Sequence, residues 1–197
     1  MSLLPSRIEP WLLRAPQGVA SRVRVALYVA LGLRAGRPIR MERGRIRRCS
    51  QVEIGRNNAF SEGWQLWPID APHSGVRIRI GDDNYFNRNV FIDACGSIEI
   101  GNENQFGPDV YVTDSNHRHG PGIVGKRLGM DVGRVRIGNG CWIGAKAVIL
   151  MNVELGDRCV VGAGAVVTRS FPADSVVVGV PARPIGTSVQ TKEGNLR

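Results

Sequence analysis

From Ile137 the chain places an aliphatic residue at every sixth position: Ile137, Ile143, Ile149, Leu155, Val161 and Val167. Glycine follows at Gly138, Gly144, Gly156 and Gly162, and the fifth place of the unit is small at Cys141, Ala147, Val153, Cys159 and Ala165. The same step runs through Ile100, Phe106 and Val112, through Ile80, Phe86 and Ile92, and more weakly through Ile54, Phe60 and Leu66. A period of six fits neither the helical repeat nor an ordinary hairpin meander. It fits a triangular coil of three very short strands, with the aliphatic and small residues pointing inward and glycine easing the corners. Coils starting at Ile54, Ile80, Ile100, Ile137 and Leu155 predict an all-β parallel β-helix of about five coils. Cys141 and Cys159 occupy the same inward place one turn apart, so they are expected to stack as core thiols and not to act as nucleophiles.

The composition suits such a chain. With 197 residues, 43% hydrophobic and 22% charged, it can bury enough apolar surface to fold as one domain. The formal charge of +9 is not spread evenly: residues 1–60 hold 12 arginines, no lysine and three glutamates, while the other 137 residues balance at 14 bases and 14 acids. This divides the chain into a basic, partly helical segment (1–45), a neutral solenoid (46–172) and a C-terminal segment (173–197). Residues 18–34 are good helix formers with apolar residues nearly all round, so they must be covered. Two roles stay open for them: capping the open end of the solenoid, or docking on an anionic membrane surface. Residues 37–48 (RPIRMERGRIRR) supply either the outward positions of a ragged first coil or a lipid-phosphate contact. Aromatics are few and no nucleic-acid motif is present, so no nucleic-acid partner is expected. No secretory signal precedes the fold and no apolar run reaches membrane-spanning length, which predicts a cytoplasmic protein, peripheral at most. Cys49 and Cys95 join the other two cysteines without forming a CxxC pair; all four read as buried thiols, and no metal is expected.

The run Cys141-Trp-Ile-Gly-Ala-Lys-Ala-Val-Ile-Leu, followed by Gly162-Ala-Gly-Ala-Val-Val-Thr-Arg and Gly179-Val-Pro-Ala-Arg-Pro-Ile, resembles the hexapeptide-repeat acyltransferases over roughly residues 75–186. The likeness is to galactoside and maltose O-acetyltransferases and to acetyltransferases of surface-polysaccharide pathways. It implies a left-handed parallel β-helix, a homotrimer and acetyl-CoA as cosubstrate. The repeat is interrupted twice, by eight extra residues before Ile80 and by residues 118–136 before Ile137. Insertions in a solenoid form loops, often on a binding face. The second follows Asp114-Ser-Asn-His117-Arg-His119-Gly, which holds two of the three histidines.

Acyl transfer from a thioester to a hydroxyl calls for a base of near-neutral pKa, and histidine is the natural one. The resemblance places that base at His117 and pairs it with Asn87 of Tyr85-Phe-Asn-Arg-Asn. The competing reading has Asp114 and His117 merely closing a turn. His119 would contact acceptor or CoA. Asn87 belongs to a middle unit and His117 ends a third one, and an edge of six residues spans ~20 Å. A site using both therefore lies between subunits, as a cyclic trimer provides. By resemblance, the backbones of Ala145 and Ala163 would run along pantetheine, and Thr168, Arg169 and Arg183 would meet the nucleotide end. Trp142 either walls this groove or packs under the loop. The galactoside enzymes carry an acidic pair for sugar hydroxyls where this chain has Ile92-Asp93-Ala94-Cys95, so Asp93, displaced, is left with Asp114 as the acidic candidate for the acceptor.

The expected activity is O-acetylation of a saccharide, in surface-polysaccharide or lipid-linked glycan synthesis. An N-acetyltransferase on an amino-sugar nucleotide and a non-catalytic binding solenoid remain the alternatives. A γ-type carbonic anhydrase is disfavoured, because its histidine spacing is absent.

Overall fold

A computed structural model describes residues 9–69, 75–119 and 129–188, with side chains from residue 18 onward. His73, the centre of the 118–136 segment and the tail beyond 188 lie outside the described residues.

Six complete coils stack. The first four are β1 (Arg34–Ala35), β2 (Ile39–Met41), β3 (Arg45–Ile46); β4 (Val52–Ile54), β5 (Asn58–Phe60), β6 (Gln65–Pro68); β7 (Ile78–Ile80), β8 (Tyr85–Phe86), β9 (Phe91–Ala94); and β10 (Ser97–Ile100), β11 (Gln105–Phe106), β12 (Tyr111–Thr113). A hairpin, β13 (Ser115–His117) and β14 (Met130–Val132), then leaves the solenoid. The rhythm resumes with β15 (Arg134–Ile137), β16 (Trp142–Ile143), β17 (Val148–Ile149) and β18 (Glu154–Leu155), β19 (Val160–Val161), β20 (Val166–Val167). Last come β21 (Ser175–Val178) and, antiparallel to it, β22 (Arg183–Thr187). Parallel pairing makes three faces: face A joins β1, β4, β7, β10, β15 and β18; face B joins β2, β5, β8, β11, β16, β19 and β21; face C joins β3, β6, β9, β12, β17 and β20. The fold is the left-handed parallel β-helix expected, with one coil more than the repeat suggested.

That extra coil comes from the arginine-rich segment. Ala35, Met41 and Ile46 take the inward places that Ile54, Phe60 and Leu66 hold one coil later. An alanine, a methionine and a step of five hide the hexad in the sequence. Coil stacking therefore starts at Arg34, ahead of residue 46, and the ragged first coil is one role of the arginine segment. At the other interruption, Arg134 already pairs with Ser97, so the segment outside the coil ends at Gly133 and not at residue 136.

Two stacks hold the interior, and a third runs along the outside of one corner. Phe60, Phe86 and Phe106 lie ring on ring at centroid distances of 4.4 and 4.7 Å. At the corner between faces A and B, the inward amides form a ladder: Asn58 Oδ1 accepts from Asn84 N at 3.0 Å, Asn84 Oδ1 from Asn104 N at 2.9 Å, and Asn104 Oδ1 from Cys141 N at 2.7 Å. Cys141 and Cys159 continue this column as buried thiols donating to Gly156 O and Pro172 O. The Cys159 thiol beside it and burial push the Cys141 thiol well above its ordinary pKa, which suits packing and not nucleophilic attack. On the outside of the same corner, Asp82 Oδ1 accepts from Arg56 N, Asn102 Oδ1 from Asp82 N, Asn139 Oδ1 from Asn102 N and Asp157 Oδ1 from Asn139 N, all at 2.7 or 2.8 Å. These side chains lie where a Cβ on the glycine of the preceding coil would fall. A Cβ at Gly101 would stand 2.5 Å from Asn139 Oδ1, and one at Gly81 would meet Asn102 Oδ1.

Helix α1 (Glu9–Ala30) closes the N-terminal end. Ser21 Oγ accepts from Met41 N at 2.8 Å, Arg24 Nη1 donates to Met41 O at 2.7 Å, and Tyr28 Oη donates to Gly44 O at 2.9 Å. The helix thereby pairs backbone groups that an open solenoid end would leave exposed. It stops earlier than residue 34 because Gly32 takes a left-handed conformation, with φ +102°, while Leu33 N bonds Tyr28 O and Gly32 N bonds Val29 O. This is the reciprocal bonding of a glycine-terminated helix. Capping is thus what the buried face of the helix does.

Replacing Asn84 by alanine should break the amide column and leave the Asn104 backbone N–H buried without its acceptor. The expected cost is about 2–4 kcal/mol, summed over one or two unsatisfied groups; chemical denaturation measures it, and a change under half that range would show the column to be dispensable.

Candidate active site

Both interruptions leave the solenoid at the corner between faces C and A. There side chains of β9 and β12, the residues just after β17 and β20, and the hairpin line a cavity of about 490 Å³. Its lining includes Asp93, Tyr111, His117, Met130, Leu150 and Thr168. His117 ends β13 opposite Met130 and is exposed, so its imidazole is open to an incoming ligand. Asp93 accepts from Tyr111 Oη at 3.0 Å through Oδ2, while its buried Oδ1 has no partner among the described residues. Burial pushes the Asp93 carboxyl upward, and the Tyr111 hydroxyl, Arg47 and His117 pull against that shift. The hydroxyl of Tyr111 is itself shifted up by burial.

Asp114 does not belong to the binding surface. It is fully buried, and its two carboxylate oxygens accept from Cys95 N at 2.7 Å and Gly96 N at 2.9 Å. A carboxylate so buried is out of an acceptor's reach; it clamps the start of the hairpin to the turn of the coil below. The turn-closing reading is correct for Asp114, and His117 stands free of it. His119 is exposed and does not line the cavity.

The remaining candidates divide between two edges of the prism. Asn87 N donates to Phe106 O, Gly107 N to Ile143 O, and Gly144 N to Val161 O, so Asn87 lies on the corner between faces B and C, in register with Gly107, Gly144 and Gly162, and Ala145 and Ala163 stand one residue further along the same corner. Asn87 Oδ1 accepts from Arg88 N at 2.8 Å, leaving its Nδ2 outward. Trp142 stands 58% exposed on face B, and Arg183 pairs with Val178 beside it. Trp142 thus does not pack under any of the described residues of the loop. Thr168 lines the His117 cavity instead, and Arg169, next in sequence, lies over the Phe171 ring at 5.3 Å. Within one chain, His117, Asp93 and Thr168 come together; Asn87, Ala145, Ala163, Trp142 and Arg183 face elsewhere. Tyr111, Leu150 and Met151 also line the cavity and escaped the sequence reading. Their signal is the outward place of each unit, which the repeat leaves undetermined.

Residues 134–169 match the family model described as the hexapeptide repeat of succinyl-transferase. Nodulation protein L of Rhizobium meliloti (strain 1021) is 43% identical over 113 residues, which cover 57% of this chain and 61% of that protein. WbbJ of Escherichia coli (strain K12), provisionally described as a lipopolysaccharide biosynthesis O-acetyl transferase, is 32% identical over 148 residues, 71% of this chain and 74% of that protein. A galactoside acetyltransferase structure in complex with coenzyme A is similar with a TM-score of 0.55 and 30% identity, covering 70% of this chain and 69% of that one. The chain belongs to the hexapeptide-repeat acyltransferase family. Its match spans about three fifths of the length of the nodulation protein.

Asp114→Asn removes one acceptor from the pair of backbone amides. A stability loss of about 1–3 kcal/mol in chemical denaturation is expected for a buried N–H left unpaired. An unchanged midpoint would return the carboxylate to a role in ligand binding.

Proposed function

We propose that the protein is an acetyl-CoA-dependent O-acetyltransferase acting on a saccharide hydroxyl in surface-polysaccharide or lipid-linked glycan synthesis. The observation that carries this reading is His117, exposed at the rim of a polar and aromatic cavity that the Asp93 carboxylate also lines. The likeness to WbbJ and to a coenzyme A-bound galactoside acetyltransferase supports the choice of donor and acceptor class.

The acceptor hydroxyl lies against His117, which takes its proton as the oxygen attacks the thioester carbonyl. Asn87 orients the acceptor or the acetyl group, and backbone N–H donors stabilise the tetrahedral oxyanion. The intermediate collapses, the C–S bond breaks, and the protonated imidazole returns its proton to the departing thiolate. No acyl-enzyme is formed. Asp93, which accepts from Tyr111 Oη through Oδ2, is the acidic group placed to meet a second acceptor hydroxyl. The pantetheine arm follows the column of Ala145 and Ala163, with Trp142 as a wall and Arg169 and Arg183 toward the nucleotide end, while Thr168, expected there, lines the His117 cavity. Since these residues sit on two separate edges of one chain, the site is completed by a second copy, whose face B–C edge meets the His117 edge in a cyclic trimer.

His117→Ala should lower kcat by about 10²–10⁴, the usual worth of a placed base, when acetyl transfer is assayed on sugars, amino-sugar nucleotides and lipid-linked glycans. Undiminished transfer would remove the mechanism. Preferred transfer to the amines would replace the acceptor class, and no transfer to any of them would favour a binding solenoid.

Co-expressing the His117→Ala and Asn87→Ala chains tests the shared site. Random assembly restores one site in four, so about a quarter of wild-type activity is expected from two inactive parents. Activity no higher than that of the parents would place both residues in one chain's site.

A further inference from the structure

Helix α1 has two faces, and the cap accounts for only one. Ser21, Val25 and Tyr28 turn toward the first coil, while Val19, Val23, Leu27 and Leu31 form a stripe 61%, 55%, 60% and 68% exposed. Ala20, Ala26, Val29 and Ala30 widen it. Among the described side chains of the helix, Arg22 is the one charge on this outward side, because Arg24 reaches inward to Met41 O. An apolar stripe of this length, directed away from the solenoid, is unusual on a surface that meets only water.

The coil beneath carries a crown of arginines. Arg34, Arg40 and Arg45 stand on β1, β2 and β3, one on each face, and Arg37, Arg43 and Arg48 follow at the corners; all six are exposed. The single acid of this stretch, Glu42, accepts from Glu62 N through Oε2. The whole surplus charge of the protein lies within residues 1–60. The molecule is thus a neutral rod whose one end is apolar at the centre and cationic around the rim.

We infer that this end docks on an anionic lipid surface, with α1 lying in the plane of the headgroups and the arginine crown contacting lipid phosphates. An apolar helical face supplies insertion and a surrounding cationic rim supplies attraction to negative headgroups. The same rim argues against a second copy as the occupant, since two arginine crowns brought end to end would repel. No helix of the described residues is long and apolar enough to cross a membrane, so the contact is peripheral. The inference does not depend on the proposed activity.

The experiment is co-sedimentation of the full chain with vesicles of phosphatidylcholine alone or doped with phosphatidylglycerol. Binding to the doped vesicles, weakening as salt is raised, is expected, with little binding to the neutral ones. Val23→Asp with Leu27→Asp should reduce partition by roughly tenfold or more through loss of the inserting face. Arg37→Glu with Arg40→Glu, which leaves the helix untouched, should do so by losing the charge term. Thermal melts of both variants check that the fold is kept. Equal binding to the two vesicle types, wild-type partition by either variant, or a change of oligomeric state on Val23→Asp with Leu27→Asp in the absence of lipid would overturn the assignment.

Discussion

Consecutive coils of this solenoid meet at the spacing of hydrogen-bonded strands, about 4.8 Å, and at the corner between faces A and B nothing larger than a hydrogen fits on the leading residue. Gly55, Gly81, Gly101 and Gly138 each sit under an Asp or Asn side chain of the next coil, whose Oδ1 accepts the backbone N–H one residue later. Glycine and its following Asx are therefore one device repeated along the rod. The glycine leaves the volume, and the Asx of the next coil fills it and pairs the amide. Because the same corner carries the inward amide column, one edge fixes the register of all three faces.

With inward and corner places so determined, the outward places are where the chain can differ from coil to coil. Face A uses them for alternating charge: Arg34, Glu53, Arg79, Glu99, Arg136 and Glu154 follow one another in register. The ion pairs Arg79–Glu53 at 3.5 Å, Arg79–Glu99 at 3.6 Å and Arg136–Glu154 at 3.2 Å are half-exposed, so each stabilises little, but together they suit a face left in water. Face C is different. Trp67, Phe91 and Tyr111 line up on its outer side at centroid distances of 6.3 and 5.4 Å, with Arg47 over Trp67. The cavity with His117 opens where this aromatic column ends. Solvation and recognition are thus divided between faces.

The hexad was legible from Ile54 onward because bulky inward side chains recur without exception of type. It was illegible in the first coil, where Ala35 and Met41 do the same work with little hydrophobic contrast and the arginines between them dominate any reading of charge. That His117 would stand at the broken repeat was legible because two of the chain's three histidines lie there, and the fold puts it on the cavity. Asp114 was misread for a related reason. An aspartate three residues from His117 suggests chemistry, and only the fold brings the Cys95 and Gly96 amides, 19 and 18 residues earlier, against its oxygens. Tyr111, Leu150 and Met151 could not be found, since a period that dictates what points inward says nothing about which outward residues share a cavity.

The place of the cavity follows from how the solenoid tolerates interruption. Residues 114–133 depart and return at one corner, yet Ser97, Ile98, Glu99 and Ile100 pair with Arg134, Val135, Arg136 and Ile137 without a slip. The cost of such an insertion is mostly loop closure, which grows slowly with length. What must be prevented is drift of the loop's first residues, and the Asp114 clamp on the preceding turn does that, while Gly133 N returns a bond to Asp114 O at 2.8 Å. A hairpin fixed at its base can present a side chain such as His117 at a defined height above face C. The inward aliphatic stack that holds the rod together is undisturbed by whatever that side chain does.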